Sequence, residues 1–340
     1  MQRITDHISK DTSCHLTPEM AGQLDPNKMF DEADICKAIA TMRPHTAAGM
    51  DGLGIDFSDF YKTHAKDLAP HLRQLFLEAH SNGHMSEAMR HAVVSLLHKG
   101  KNFPCDLDKN YRPISVTATE YRILGRCIHQ HLAPFIRHLI GETQLGFVPG
   151  RRIDENILAL TDTELANFCD SDDSRGGIFV MLDNAKAYDR VQWPFLQKVL
   201  EAFRFPPHFR SLIGMLFTDI SSSLKVNGHI GAPFSVQNGL RQGCCVAPLL
   251  YLLVHECFLK MIRNDTTIKG IPIPTQEGEF NDSAHSEMRE RAFADDTGVA
   301  LASDASSNRL FEIADQYSLG SGSKLQIEKT VDGRHSFWIR

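Results

Sequence analysis

Two short stretches of sequence decide the fold: Gly177-Ile-Phe-Val-Met-Leu-Asp183 and Phe293-Ala-Asp-Asp296. The first is a continuous apolar run that ends in an acid, which predicts a buried strand with Asp183 at its end. The two acids of the second lie between the runs 291–294 and 297–302, which predict a hairpin carrying Asp295 and Asp296 at its tip. If these strands are neighbours in one sheet, Asp183 and Asp295 can face each other.

The segments around these two stretches mix helical and extended patterns. Apolar residues recur at helical spacing after Trp193-Pro194, where proline suits a first turn, and again over 207–220 and 243–261. Asn227-Gly228 predicts a tight hairpin turn, and Ser303 or Asp304 predicts the N-cap of a further helix that ends near Gly320 or Gly322. The first half predicts helices near 30–42, 56–64 and 66–80 and a strand over 93–97. The fold class is therefore α+β.

The three carboxylates predict a metal site. Clustered carboxylates repel one another unless a hard cation neutralises them, and Mg²⁺ combines a few carboxylates with substrate phosphates. Two such ions suit an in-line phosphoryl displacement. For the pair Asp295-Asp296 taken alone, the alternative is an ordinary solvated turn, since aspartate favours turns.

Composition excludes several classes of protein. The 340 residues are 42% hydrophobic and 23% charged, unlike a disordered, collagen-like or coiled-coil chain. The longest uncharged apolar run, 244–254, contains a proline and is too short to span a bilayer, and the first residues show no secretory signal. None of the eight cysteines forms a CxxC pair. We expect reduced thiols in a nuclear or cytoplasmic protein that is neither secreted nor membrane-bound.

Charge is distributed unevenly along the chain. The formal net charge is −6, yet the stretch from Lys99 to Arg152 holds nine basic and four acidic side chains. A polyanion would be drawn to such a region. The alternative is a solvated face with ordinary salt bridges.

Seven collinear blocks resemble the reverse transcriptases of non-LTR (LINE-type) retrotransposons, over roughly residues 44 to 330. Gly239–Gly243 is similar to motif B of these polymerases, and Phe293–Asp296 is similar to the YADD box of motif C. The blocks are His45–Gly52 with Phe60–Lys62, Leu96–Lys101 with Tyr111–Ser115, Gln144–Arg151, Leu182–Val191 (motif A), Gly239–Gly243 with Pro248 (motif B), Phe293–Asp296 (motif C), and Ser321–Gln326 with Lys329 and Thr330 (motif D).

The resemblance implies a right-hand polymerase fold, in which an antiparallel sheet with packed helices forms the palm. Residues 1–45 would be an N-terminal extension and 46–175 mostly fingers. Residues 176–330 would be palm with motifs A to D, with part of the stretch after motif A returning to the fingers. Residues 331–340 would be a truncated C-terminus, because the family continues into a helical thumb and only ten residues follow Thr330 here.

The resemblance also implies roles for individual residues. Asp183 and Asp295 would be the metal ligands for Mg²⁺ or Mn²⁺, and Asp296 the third catalytic acid. Tyr188 would block the ribose 2′-hydroxyl and so select deoxynucleotides; its alternative is a packed core aromatic. Gln242 would contact the incoming nucleotide or its template partner, and Arg112 and Lys109 would contact the triphosphate. Arg151, Arg152 and Arg241 would contact nucleic acid. For Arg151 and Arg152 the alternative is a surface role without nucleic acid.

Motif B departs from the family pattern. The usual Arg-Gln-Gly-Asp-Pro-Leu-Ser-Pro is here Arg241-Gln-Gly-Cys-Cys-Val-Ala-Pro248, which replaces an acid, a rigid proline and a hydroxyl. Losing the proline loosens the loop backbone, because proline fixes φ. Motif C has Phe293 in place of tyrosine.

Two functions are compatible with these features. The first is an RNA-directed DNA polymerase that extends a DNA primer on an RNA template with dNTPs, by two-metal phosphoryl transfer. The second is a truncated or degenerate non-catalytic remnant that keeps the fold and a weak RNA-binding surface. The retained acids favour the first, and the altered motif B and missing thumb favour the second. The sequence leaves the oligomeric state open.

Overall fold

The computed structural model describes residues 1–43, 47, 49–50, 52, 57–100, 104, 110–159, 177–272, 287–326 and 331–334. Its named helices, numbered in chain order, are α1 (Gln2–Ser9), α2 (Pro18–Gln23), α3 (Pro26–Met29), α4 (Glu32–Ala40), α5 (Phe57–Thr63), α6 (Ala65–Asn82), α7 (Glu87–Arg90), α8 (Thr119–Leu139), α9 (Trp193–Ala202), α10 (Pro207–Met215), α11 (Ala247–Asn264) and α12 (Asp304–Ser321). Its strands are β1 (His91–His98), β2 (Tyr111–Thr117), β3 (Ile178–Leu182), β4 (Ser221–Val226), β5 (His229–Ile230), β6 (Phe234–Ser235), β7 (Ile271–Pro272), β8 (Glu287–Met288), β9 (Glu290–Phe293), β10 (Asp296–Leu301) and β11 (Val331–Arg334).

The chain divides into two compact units, each made of separate stretches of sequence. Unit 1 comprises Met1–His15, Ile136–Phe203 and Tyr251–Arg340, and unit 2 comprises Leu16–Phe135 and Arg204–Leu250. The predicted boundary at 175 falls inside unit 1, and the predicted N-terminal extension contributes to both units. The α+β class is confirmed.

Unit 1 contains a four-stranded antiparallel sheet in the order β11-β3-β10-β9. The predicted strands 177–182 and 297–302 are its two central members, because their apolar residues are buried: Val180 is 0% and Val299 0% exposed. The edge strand β11 comes from the segment predicted to be a truncated C-terminus. The capping signals of α12 are confirmed, since the Ser303 side chain accepts a hydrogen bond from the Ser306 amide and Gly322 follows in a left-handed conformation.

Unit 2 contains a five-stranded mixed sheet in the order β2-β1-β4-β5, with β6 also paired to β4. Strand β1 is antiparallel to β2 but parallel to β4, so the sheet of this unit is not purely antiparallel. The hairpin at Asn227-Gly228 is confirmed, with both residues at positive φ as a type I′ turn requires. Helices α4 and α6 pack together, and Phe30 contacts Phe76 nearby with ring centroids 5.4 Å apart.

Two predicted helices have different ends in the structure. The segment 207–220 is helical only to Met215, after which turns lead into β4. The segment 243–261 begins its helix at Ala247, because turns closed by the Cys244 and Ala247 amides precede it and Pro248 fits only a first turn. Within the described residues, no helix is long and apolar enough to cross a membrane.

Candidate active site

The predicted neighbourhood of the two acidic strands is confirmed. Strands β3 and β10 pair antiparallel, with Leu182 opposite Thr297. Continuing this register by one residue places Asp183 opposite Asp296. In the residue that follows Asp183, the Asn184 side-chain amide donates to the Asp295 carbonyl at 3.3 Å. The end of one strand and the start of the other therefore bring the acids to the same end of the sheet.

The hairpin that carries the acids has a two-residue turn. Phe293 pairs with Asp296, so Ala294 and Asp295 form the turn and Asp296 is already the first residue of β10. The prediction that both acids occupy the tip is therefore wrong for Asp296. Ala294 has φ +60°, a left-handed conformation that an L-residue adopts at a cost. Asp183 and Asp295 are partly exposed and Asp296 is exposed, so all three carboxylates meet solvent.

The carboxylate oxygens at this end of the sheet are of the chemical type that binds a hard divalent cation. Carboxylate oxygens are the ligands Mg²⁺ prefers, and one or two carboxylates with substrate phosphates are its usual set. Among the described residues, no group of three or more His, Cys, Asp or Glu side chains lies close enough to hold a metal ion. The acids would thus supply only part of a coordination shell, with phosphate oxygens and water as the remaining ligands.

An aromatic stack lies beside the acids. The ring of Tyr188 stacks on Tyr251 at 4.8 Å between centroids and 18° between planes. Burial raises the pKa of Tyr188, and the negative charge of Asp295 raises it further. The pKa of Tyr251 is raised by burial above all, and Asp295 and Asp296 both add to the shift. The two carboxylates are therefore close enough to act on this stack. Tyr188 is half-buried, while Tyr251 is 4% exposed.

A buried histidine that was not predicted from the sequence lies behind the hairpin. His255 is 1% exposed, lies against the Tyr251 ring, and shares a 2.9 Å hydrogen bond with the Thr297 hydroxyl. Thr297 directly follows Asp296, so the bond anchors the start of β10. Burial lowers the pKa of His255 to about 4, which keeps the ring neutral at physiological pH.

The block Gln144–Arg151 contains a second support that was not predicted, the side chain of Gln144. Its amide donates to the Ala294 carbonyl at 2.9 Å, and its Oε1 accepts from the amides of Ala294 at 2.8 Å and Gly146 at 2.9 Å. Gln144 is 1% exposed. We call these three hydrogen bonds the Gln144 clamp. It holds the left-handed residue that precedes Asp295.

Backbone contacts extend the Gln144 clamp along β9. The Ala292 amide donates to the Thr143 carbonyl and the Leu145 amide donates to the Ala292 carbonyl, both at 2.9 Å. A Cβ on Gly146 would lie 2.2 Å from the Ala294 nitrogen, so only glycine permits this approach. In the sequence, this support of the hairpin corresponds to a glutamine that stands two residues before a glycine.

Arg151 holds the segment between Ile140 and Gln144 through its guanidinium. Its guanidinium donates to the carbonyls of Gly141, Gln144 and Ile140 at 2.5, 2.7 and 3.1 Å. These contacts satisfy carbonyls just beyond the end of α8. Burial lowers the pKa of Arg151, but a guanidinium remains charged. Arg152 is exposed in its side chain and pairs with Asp154 at 3.0 Å.

The residues predicted to meet the nucleotide belong to unit 2, whereas the acids and Tyr188 belong to unit 1. Arg112 is exposed on β2. Gln242 is partly exposed, and its carbonyl accepts from the Ser115 amide at 2.7 Å, which ties the motif B loop to β2. Lys109 lies outside the described residues.

Arg241, which is predicted to contact nucleic acid, is buried among protein groups. It is 6% exposed, and its Nη2 donates to the carbonyls of Arg90 and Ser221. Its guanidinium also lies 5.2 Å from the centre of the Tyr121 ring. Both Arg151 and Arg241 therefore hold protein carbonyls, and a nucleic-acid contact for them stays a prediction.

Comparison with known proteins agrees with this arrangement of motifs. The family described as "Reverse transcriptase (RNA-dependent DNA polymerase)" matches residues 98–337. The chain is 29% identical over 300 residues to the "Transposon TX1 uncharacterized 149 kDa protein" of Xenopus laevis, covering 87% of this chain and 21% of that protein. It is 28% identical over 165 residues to the "Probable RNA-directed DNA polymerase from transposon BS" of Drosophila melanogaster, covering 47% of this chain and 17% of that protein.

The chain thus matches about a fifth of the length of each of these relatives. The family match extends over well more than half of the chain and includes both acidic strands. These findings confirm the resemblance drawn from the seven blocks. The chain belongs to the reverse transcriptase family and is a reverse transcriptase domain of the non-LTR retrotransposon type.

Proposed function

We propose that this chain is the domain of a transposable element that adds deoxynucleotides to a primer 3′-hydroxyl on an RNA template. The observation that carries the proposal is the register of β3 and β10, which brings Asp183 across from Asp296 with Asp295 beside them. Acids brought opposite each other at an exposed strand end, within a family of RNA-dependent DNA polymerases, support phosphoryl transfer over a structural role.

In this proposal Asp183 and Asp295 hold divalent cations, Mg²⁺ or Mn²⁺, and Asp296 is the third acid. When bound, such cations favour the ionised primer 3′-oxygen and neutralise charge on the triphosphate. The chain's own part is to keep carboxylate oxygens at fixed positions. The Gln144 clamp serves this by holding the turn at Ala294, and His255 serves it by holding Thr297.

Tyr188 is proposed as the residue that excludes ribonucleotides. Its ring is held flat against Tyr251, so it presents a fixed surface rather than a mobile one. The charge of Asp295 reaches its hydroxyl, which supports a position beside the metal-binding acids. Gln242, Arg112 and Lys109 are proposed to contact the nucleotide, and Arg152, with its exposed guanidinium, to contact nucleic acid.

The units are proposed to correspond to parts of a right-hand polymerase. Unit 1, which holds the acids on an antiparallel sheet, would be mainly palm. Unit 2, which holds Arg112 and Gln242, would be mainly fingers. RNA template, DNA primer and dNTPs are the proposed partners.

The test combines two assays on Asp295→Asn. We expect Mg²⁺ or Mn²⁺ to raise the melting temperature of the unmutated chain by mass action, and the substitution to remove most of that shift and any extension of a primed RNA template. Asp315→Asn, an exposed acid of α12, is the matched control and should change neither.

A metal-dependent shift that persists in Asp295→Asn would place the metal elsewhere. Extension that persists would refute the role of Asp295. An unmutated chain with neither shift nor extension would favour the non-catalytic alternative.

A further inference from the structure

The motif D segment, Ser321–Gln326, lies beside the residues that follow β3. The Asp183 carbonyl accepts a hydrogen bond from an amide of this segment, and the Ala185 amide donates one to a carbonyl of it, both at 2.8 Å. Between these two residues, Asn184 pairs with Leu325 in an isolated antiparallel bridge. The backbone on both sides of Asn184 is therefore held by the motif D segment.

The Asn184 side chain links this segment to the acidic hairpin. Its Nδ2 donates to the Asp295 carbonyl at 3.3 Å, and its Oδ1 accepts from the Ser323 hydroxyl at 2.9 Å. Because a backbone carbonyl only accepts hydrogen bonds, the amide nitrogen has to face Asp295, which leaves the amide oxygen for Ser323. Asn184 is 6% exposed, so water cannot readily replace either bond.

Ser323 is itself fixed to the end of α12. Its amide donates to the Ser321 hydroxyl at 3.1 Å, and its carbonyl accepts from the Ser318 hydroxyl at 2.6 Å. Gly322 adopts the left-handed conformation that ends the helix. The hydroxyl that meets Asn184 therefore belongs to a residue whose own backbone is held in place.

The bond to the Asp295 carbonyl acts on the peptide plane that joins Asp295 to Asp296. Rotation of this plane changes the direction of one acid relative to the other, because the plane carries both α-carbons. The Gln144 clamp ends at the preceding residue, Ala294. Asn184 thus holds the next peptide of the same turn.

We propose that Asn184 is a positioning residue, which makes the relative direction of Asp295 and Asp296 depend on the motif D segment. A shift of Ser323 displaces the Asn184 amide and, through it, the turn. An amide suits this place because it supplies a donor and an acceptor, whereas a carboxylate would add a further negative charge beside the acids. The use of this link in metal binding rests on the proposed function.

The first test is hydrogen exchange in Asn184→Leu, which removes both side-chain bonds at similar volume. Asn184 lines a small cavity with Phe258 and Tyr317, so a leucine has apolar neighbours there. The Asp296 amide shares the peptide plane of the Asp295 carbonyl, and the Val299 amide of the same strand is the reference. We expect the ratio of Asp296 to Val299 exchange rates to rise at least about fivefold, because the loss of a buried hydrogen bond frees the plane.

Controls separate this local effect from a general loss of stability. General destabilisation would speed exchange at Val299 as well and would not raise the ratio. Asn308→Leu makes the same substitution at an exposed asparagine of α12 and should leave the ratio unchanged. An unchanged ratio in Asn184→Leu would overturn the proposal.

Ser323→Ala tests whether the link runs through the Asn184 side chain, and it removes only the bond to the motif D segment. It should raise the same exchange ratio about twofold in the unmutated background and add nothing in Asn184→Leu, since coupled residues have non-additive effects. An effect of equal size in both backgrounds, or none in either, would overturn the link between the motif D segment and the turn.

The last readout is the Mn²⁺ concentration that gives half of the maximal rise in melting temperature. We expect this concentration to increase at least about threefold in Asn184→Leu, although all three acids are intact, and to stay unchanged in Asn308→Leu. An unchanged value in Asn184→Leu would overturn the positioning role. An unmutated chain that showed no rise with Mn²⁺ would instead count against the proposed function, and the exchange ratios would still decide whether Asn184 links the motif D segment to the turn.

Discussion

The Gln144 clamp makes a sharp prediction, because one side chain satisfies three buried backbone groups. In Gln144→Ala the Ala294 amide, the Ala294 carbonyl and the Gly146 amide all lose their partner. Ala294 is 6% exposed, so water cannot readily replace the lost bonds. Each unsatisfied buried group costs about 1–3 kcal/mol, so for three groups we expect a loss of about 3–9 kcal/mol in the free energy of unfolding. That is a large share of the roughly 5–15 kcal/mol that stabilises a typical domain.

The assay is urea unfolding combined with hydrogen exchange at the Ala294 and Gly146 amides. Gln144→Met keeps most of the side-chain volume and removes the hydrogen bonds, so it separates their loss from the cavity that alanine leaves. Gln74→Ala is the matched control, because Gln74 is exposed and makes one hydrogen bond to Glu78. We expect that control to change stability by less than about 0.5 kcal/mol.

The role of the clamp is refuted if Gln144→Met unfolds at the same urea concentration as the unmutated chain and the Ala294 amide exchanges no faster. If the clamp also serves the proposed metal site, Gln144→Met should reduce the metal-induced rise in melting temperature, although Asp295 itself is intact. That second result rests on the proposed function, whereas the loss of stability does not.

Two further predictions concern the same hairpin. Gly146→Ala should lower the free energy of unfolding by about 1–3 kcal/mol, because the new Cβ meets the Ala294 nitrogen; Gly22→Ala, where a Cβ meets no atom within 4 Å, is the control in parallel urea titrations. His255 binds a proton below pH 6.5 when unfolded but only below about pH 4 when folded, so its contribution to stability is constant above pH 6.5 and falls as the pH drops toward 4. The fall is about 3 kcal/mol for a fully buried ring, and His255→Gln should unfold with a correspondingly weaker pH dependence between pH 7 and 4.5.

The acidic strands could be predicted from sequence because their signals are local. A continuous apolar run marks a buried strand, and an acid at its end needs no information from elsewhere in the chain. The pairing of β3 with β10 was a conditional expectation, and the register that brings Asp183 opposite Asp296 confirms it. The predicted place of Asp296 is wrong by one residue, because a pattern shows where a turn lies but not how many residues it uses.

The groups that hold the hairpin could not be predicted, because each acts over a long separation in sequence. Gln144 and Ala294 are 150 residues apart, and His255 and Thr297 are 42 apart. In the sequence His255 stands within an apolar helical run, where a histidine predicts no particular partner. The nucleic-acid contact of Arg241 rests on its place in motif B and stays a prediction. The burial of Arg241 depends on Tyr121 and on carbonyls of two other segments, which no local pattern reveals.

The chemistry proposed for the turn explains why its support comes from so far away. A two-residue hairpin with positive φ at its first central position favours glycine there, and Ala294 adopts the same conformation at a cost of about 1–2 kcal/mol. The second central position must be a carboxylate if Asp295 is to bind a cation, so the turn cannot use the Asn-Gly chemistry that shapes the hairpin at Asn227-Gly228. A turn that its own residues do not favour has to be held by other groups. The three hydrogen bonds from Gln144 and the close approach of Gly146 do this, which makes the block Gln144–Arg151 part of the proposed catalytic centre although none of its side chains is an acid.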